Sequence, residues 1–220
     1  MITHPLLDVC GVVHGFGTKS DREPPGVVRP RQVHGVAVMR AHRDGGVGRE
    51  DADAVVSDVP GLVVAVVTAD CVPLLVSVSA GSRVAAIHAG WRGLVAGVVR
   101  SGLGALFEDG VCASELRVVI GPHIGPCCYE VDAPVLDAVA ARFGREAEPA
   151  WRASRAGHAQ LDLGLLARLE CLRAGLETGA IGAIEGSCTR CDAERFHSYR
   201  RDGPRAGRLV HHVAARVPTA

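Results

Sequence analysis

Between residues 61 and 90 the chain carries three short apolar runs, GLVVAVVTAD (61–70), VPLLVSVS (72–79) and RVAAIHAG (83–90). Each is rich in β-branched residues, bounded by turn signals and too short for an ordinary helix, so all three read as buried strands. None is long enough to cross a membrane; the richest, Gly61 to Val67, runs straight into Thr68 and Asp70. A further strand-like stretch places Val33, Val36 and Val38 ahead of Arg40, followed by a polar loop over 43–50. Residues 93–107 read as a helix whose broad apolar face holds Leu94, Val95, Val98, Val99, Leu103 and Leu106. LRVVIG (116–121) reads as a strand, and Asp132-Ala133-Pro134 opens a helix that Gly144 would stop. Asp162 introduces a leucine-rich helix to about Leu176, and GRLVHHV (207–213) is the last strand. The first 30 residues, with Pro24-Pro25-Gly26 and Pro30, read as irregular. The expectation is a single mixed α/β (α+β) domain over 1–220, with a short irregular segment at 1–30.

Such a core is built from Val, Leu and Ala, because aromatic residues make up only 4% of a chain that is 48% hydrophobic. Its 24 basic and 24 acidic residues balance, which removes the global electrostatic argument for binding nucleic acid or a membrane surface. The start MITHPLLDVC has no basic segment leading into a long apolar one, so the expected location is the reducing cytoplasm. There, eight cysteines are read as packing residues, metal ligands or nucleophiles rather than disulfides.

Polar groups with chemical potential sit at the ends of the apolar runs. Asp70-Cys71 interrupts two of them, His88 ends the third before Ala-Gly-Trp-Arg-Gly, and His34 lies in Arg31-Gln32-Val33-His34-Gly35. Strand ends converge on one pocket in many folds. Two chemistries suit these residues: a Cys71 nucleophile with His88 as its base, or a zinc ion on His34, Cys71 and His88 with a fourth position open. The plain alternative is a buried structural cysteine with two histidines satisfied by backbone. Cys188-Thr-Arg-Cys191 and the vicinal Cys127-Cys128 are expected to pack or support structure, because vicinal spacing is wrong for the second half of a four-cysteine zinc site. Asp51 and Asp58 read as solvated. Segment 190–208 holds six arginines against three acids, a composition suited to phosphate or carboxylate. No phosphate-binding glycine loop, GxSxG or HExxH is present.

Taken together, RQVHG (31–35), ADAVVSDVPGLVVAVVTADCVPLLV (52–76), AAIHAGWRGL (85–94), IGPHIGPCCYEV (120–131), LDL (161–163) and CTRCDAERFHSYRRDGPRAGR (188–208) resemble one bacterial family. It is known as the polyphenol oxidase (laccase-domain) family, the peptidoglycan editing factor family, or the zinc-dependent purine nucleoside phosphorylases. The resemblance implies zinc on His34, Cys71 and His88, and a layered α/β/β/α sandwich like that of cysteine hydrolases. It implies phosphorolysis of adenosine, inosine and methylthioadenosine, with adenosine deamination at the same site. On that reading the partners are purine nucleosides and phosphate. Arg31 is expected to contact the anion, with Arg200 and Arg201 as further candidates. Asp70 would orient a histidine or carry a proton, and Trp91 and Tyr129 would stack on a purine. His123, in GPHI, is a further ligand candidate.

Copper chemistry is disfavoured: ten histidines are present, but none in the paired H-x-H spacing of a multicopper centre. A cysteine hydrolase or peptidoglycan-precursor editing enzyme using Cys71 and His88 is the competing enzyme reading, and a scaffold with structural zinc the non-enzymatic one. Three departures from the family pattern stand out: a short Lys19–Pro30 segment, His197 where an aromatic residue is usual, and His123 where other residues are common.

Overall fold

A computed structural model describes residues 1–218. The chain begins with α1 (Pro5–Asp8), β1 (Val13–Phe16), β2 (Arg29–Arg31), β3 (Val38–Arg40), β4 (Val47–Asp51) and β5 (Ala54–Ser57). The three apolar runs form β6 (Val63–Thr68), β7 (Val72–Val78) and β8 (Val84–Ala89), followed by α2 (Trp91–Ala96) and α3 (Val98–Glu108). Then come β9 (Leu116–Ile120), β10 (Glu130–Asp132), α4 (Ala133–Phe143), β11 (Trp151–Ala153) and β12 (His158–Leu161). The chain finishes with α5 (Leu163–Arg173), β13 (Ile181–Ala183), α6 (Tyr199–Asp202) and β14 (Leu209–Ala214).

The central sheet has six strands in the order β13-β9-β7-β8-β5-β3. β7 is buried along its whole length, and its alternation decides which layer each side chain joins. Val72, Leu74, Val76 and Val78 face a core shared with the helices, whereas Leu75 faces a second core shared with β6 and β14. β8 splits in the same way, with Ala85 and Ile87 on one side and Val84 and Ala86 on the other. Emptying a position such as Leu75 would cost about 2–5 kcal/mol, because neither packed layer can collapse freely onto the gap. β6 belongs to a separate three-stranded antiparallel sheet, β1-β14-β6, which covers the second face.

All three 11-residue helices pack into the first core. The layering is therefore helices, six-stranded sheet, three-stranded sheet. The expected outer helical layer is carried by no helix of comparable length among the described residues. The connection from β1 to β2 forms no helix either, Pro24 and Pro25 opposing one.

Local differences from the sequence reading have physical causes. The helix expected over 93–107 is broken at Gly97, which takes φ +97° and ends α2 as α3 begins. The run from Val33 forms a strand only at Val38–Arg40. The opening 30 residues are less irregular than expected, since β1 pairs with β14. The polar loop over 43–50 contains part of β4, an exposed strand lying parallel to β2.

Candidate functional site

The site is assembled from three places in the chain. Cys71 immediately precedes β7, His88 lies in β8 paired opposite Pro73, and His34 comes from the loop before β3. One ligand atom from each gathers so that all lie within 4.8 Å of one another, and Cys71 Sγ is 3.9 Å from His34 Nε2. His88 is buried, Cys71 half-buried and His34 exposed, so the group has a dry side and a wet side.

Behind it sits Asp53, a carboxylate with no exposed surface. It accepts backbone N–H bonds from Val33 (3.2 Å), His34 (2.9 Å) and Gly35 (2.6 Å), and meets His88 Nδ1 at 2.8 Å. Converging three successive amides on one carboxylate requires a nest-like turn, and His34 adopts φ +60° to make it. Burial alone would push the Asp53 carboxyl up, but His88 and the amides hold it below the usual range. The same contact fixes the imidazole: Nδ1 carries the proton toward Asp53, leaving Nε2 free to face Cys71.

In the absence of metal these groups form an ion pair. Burial would lower the His88 pKa, but Asp53 and Cys71 raise it to about 9. Burial would raise that of Cys71, but hydrogen bonds from His34 and His88 bring it down to about 6. Gly90, which follows β8, shapes the opposite wall. A Cβ there would stand 3.0 Å from Cys71 Sγ and 3.0 Å from His34 Cδ2, closer than real contacts comfortably allow.

Asp70 is the other non-glycine residue with positive φ, at +100°. Its carboxylate orients neither histidine; it accepts from Thr189 Oγ1 (2.6 Å) and the Arg200 amide (2.6 Å), while its carbonyl takes the Ile124 N–H (3.0 Å). Asp70 thus ties the Cys71 turn to two loops, and Asp53 fills the orienting role that the sequence offered to Asp70. Asp53 is the residue missed in the sequence. Its signal was a carboxylate set directly against the buried strand AVVS.

The arginines are placed differently from one another. Arg31 is exposed and paired with Asp51 through Nε and Nη2. All five Arg201 N–H groups are engaged, by Asp202, Thr189 O, Arg190 O and Phe196 O. Arg200 spends one donor on Glu130 O and lies over the Tyr129 ring at 4.9 Å, leaving the rest of its guanidinium open. Burial pushes the Tyr129 hydroxyl up to about 12, with Cys71 adding to the shift and Arg200 and Arg92 opposing it, so these groups surround one another. Trp91 is half-buried, with Arg92 over its ring at 4.5 Å. His123 stands apart from the three-residue group, its Nδ1 against Gly121 O.

The two cysteine pairs, read separately in the sequence, come together: the sulfurs of Cys127, Cys128, Cys188 and Cys191 all lie within 4.8 Å of one another. A cleft of about 950 Å³ runs alongside them, lined also by His123, Asp162 and Arg168.

A family model described as multi-copper polyphenol oxidoreductase laccase matches residues 16–216. A Xylella fastidiosa protein named purine nucleoside phosphorylase is 40% identical over 184 residues, spanning 82% of this chain and 68% of that protein. Purine nucleoside phosphorylase YlmD of Geobacillus stearothermophilus is 34% identical over 195 residues, spanning 84% and 70%. Among solved structures, the Bacillus licheniformis hypothetical protein YfiH superposes with a TM-score of 0.86 at 26% identity, covering 94% of this chain and 93% of that one. YlmD from Geobacillus stearothermophilus gives 0.82 at 32% identity, covering 87% and 74%. No described helix is long and apolar enough to cross a membrane.

Proposed function

Because the chain belongs to the multi-copper polyphenol oxidoreductase laccase family, with relatives named purine nucleoside phosphorylases, we propose that it is a zinc-dependent purine nucleoside phosphorylase. Its substrates are adenosine, inosine and methylthioadenosine, and the same site deaminates adenosine. The observation that carries this reading is the convergence of His34, Cys71 and His88 on one point, with Asp53 fixing the tautomer of His88. Two imidazoles and one thiolate are a donor set that zinc accepts, and three protein ligands are the number a catalytic site uses. When bound there, zinc supplies Lewis acidity at an open fourth position.

The chain's own groups do the rest. Asp53 keeps His88 aimed and withholds its Nδ1 proton from the reaction. The exposed edge at His34 admits substrate, while the buried His88 side excludes water. Arg200, with open donors over Tyr129, and Arg31, on the strand leading to His34, hold the phosphate. In phosphorolysis a phosphate oxygen bonds to the ribose anomeric carbon, the glycosidic C–N bond breaks and the purine leaves with a proton. In deamination water adds at the amino-bearing purine carbon and ammonia departs. The helices, six-stranded sheet and three-stranded sheet supply three of the four layers of a sandwich like that of cysteine hydrolases, and the proposed location is the cytoplasm.

A second reading rests on the metal-free pairing of Cys71 with His88, which is the pairing a cysteine hydrolase of peptidoglycan precursors or amides would use. Copper oxidation of phenols is not proposed. Among the described residues only two groups of three or more His, Cys, Asp or Glu converge, and neither contains more than two histidines.

The deciding experiment assays a nucleoside panel with and without phosphate on metal-quantified protein. Hypoxanthine released from inosine only when phosphate is present, with zinc and activity lost together in Cys71→Ala, is the expected result. Full activity after chelation, together with covalent labelling of Cys71 by substrate, would overturn it in favour of the hydrolase.

A further inference from the structure

Four cysteines outside the proposed active site are not accounted for by burial in the core. Cys10 and Cys171 are the packing thiols, exposed by only 3% and 0%. Cys128 and Cys188 are half-buried against the edge of the first core, but Cys127 and Cys191 are exposed, so burial of apolar surface does not explain the set. Their sulfurs nevertheless converge. Cys191 Sγ lies 3.6 Å from Cys127 Sγ and 3.3 Å from Cys128 Sγ, and all four fit within 4.8 Å. Those gaps are far too long for disulfides, whose sulfurs stand about 2.05 Å apart. The two gaps fall just short of the edge of about 3.8 Å expected for a tetrahedron of sulfurs about 2.3 Å from a zinc ion, and the 4.8 Å limit on the whole set lies above it.

The surroundings treat these sulfurs as acceptors. The Gly125 amide donates to Cys188 Sγ at 3.3 Å, and Arg190 Nη1 donates to Cys128 Sγ at 3.6 Å. Donors aimed at ligating sulfurs are a common support for metal thiolates, and the guanidinium offsets part of the charge of four thiolates around a dication. The turn that makes vicinal ligation feasible is held by Cys128 and Tyr129 amides on Gly125 O (3.0 and 3.1 Å).

We propose that Cys127, Cys128, Cys188 and Cys191 form a second metal site, a closed tetrathiolate for one zinc ion, which locks together the two loops that grip Asp70. Thr189, inside the CxxC, donates to the Asp70 carboxylate, and Ile124, three residues before Cys127, donates to its carbonyl. The two loops also join directly, through the Thr189 amide on His123 O at 3.0 Å. The ion therefore braces the turn that presents Cys71 without touching it. With all four positions filled by sulfur, this site is structural.

The test uses the full chain purified in reductant without chelator. About two zinc ions per chain are expected in the wild type and about one in Cys127→Ser/Cys191→Ser, two surface positions whose change spares the core. Cys71→Ala removes the other ion, so failure of this proposal and failure of the proposed active centre give different counts. Cobalt substitution of the wild type should give strong thiolate charge-transfer absorption, which the double variant should reduce to the weaker contribution of the single Cys71 thiolate. In differential alkylation the four thiols should be protected as a set and released as a set by chelator, a measurement that needs no variant. Hydrogen exchange in the double variant should rise at 122–129 and 187–192 while β7 and β8 stay protected. Zinc content unchanged by the double variant, free alkylation of all four thiols in untreated protein, iron in place of zinc, or a Cys128–Cys191 disulfide would each overturn the site. Unchanged exchange in both loops would overturn the bracing role.

Discussion

The His34, Cys71 and His88 group stands on the central sheet, with a fully buried carboxylate behind it, whereas the four cysteines stand on two connecting loops with an amide and a guanidinium around them. The first group offers mixed nitrogen and sulfur donors, three in number, with one face exposed. The second offers four sulfurs and no vacancy. Coordination chemistry assigns opposite tasks to these arrangements, an open position to catalysis and a closed one to structure. The supports differ in kind as well. At the first, Cys71 and His88 take their orientation from strands packed between two cores, and His34 from a loop that Asp53 holds. At the second, the ligands themselves must order the loops.

The sharpest way to break this comparison is Asp53→Asn. The amide can still accept from the backbone at 33–35, but it cannot balance the His88 imidazole or accept both sets of donors at once. Metal affinity at the three-residue group should fall by about 10–100-fold, with nucleoside turnover following, as for other carboxylates behind ligating histidines. The four-cysteine site should keep its ion, which metal analysis of the variant will show. Equal loss at both sites would mean that the two groups are not independently supported.

How legible these features were depended on whether their causes were local. The strands of 61–90 were readable because full burial on both faces writes a continuous apolar run, as in β7. The helix at Leu163 was readable because Asp162 caps it through its own neighbour, accepting the Leu165 N–H at 2.8 Å. The break at Gly97 was hidden because a glycine within an apolar periodicity looks like a tolerated interior residue. The stretch 33–37 carried valines at a strand-like spacing, yet its conformation is set by Asp53, about 20 residues away, drawing three amides to one point. The resemblance pointed to His34, Cys71 and His88 as a group, while Asp53 itself required the fold. The cysteine pairs failed for the same reason: spacing rules see one loop at a time, and here each loop supplies half.

Acid should attack the scaffold of the first group. His211 in β14 is fully buried against Thr68 Oγ1 (2.8 Å), and burial, reinforced by His212 and His88, lowers its pKa to about 3. The folded chain keeps this ring neutral, whereas the unfolded chain protonates it near pH 6.5. Its contribution to stability is therefore present above about pH 6.5 and is lost as pH falls toward about 3. Between pH 6.5 and 4.5 that amounts to about 2–3 kcal/mol. Chemical denaturation across this range should show the slope, and His211→Leu should flatten it even though it removes the Thr68 hydrogen bond.

Gly90→Ala probes how closely the first group is packed. The new methyl must displace Cys71 Sγ or the His34 ring by a few tenths of an ångström. Turnover should drop roughly tenfold, because small misplacements of reacting groups are costly, with the four-cysteine ion undisturbed. An unchanged turnover would show that the ligands tolerate looser placement than the geometry suggests.

The smallest effects belong to the arginines, and they rank by what each guanidinium already holds. Arg201 has given all five donors to the protein, so Arg201→Ala should act on stability rather than on the KM for phosphate. Arg31 shares its charge with Asp51 in open solvent, where an ion pair contributes about 1 kcal/mol or less, so Arg31→Ala should raise that KM by no more than about fivefold. Arg200 retains unpaired donors beside Tyr129, and its amide is tied to Asp70, which fixes where the guanidinium starts. Loss of a charged hydrogen bond there predicts a rise in phosphate KM of roughly tenfold with kcat nearly unchanged. Steady-state kinetics at varied phosphate will order the three. If Arg31→Ala exceeds Arg200→Ala, the anion enters along β2 rather than over Tyr129, and the exposed edge at His34 becomes the phosphate side of the site.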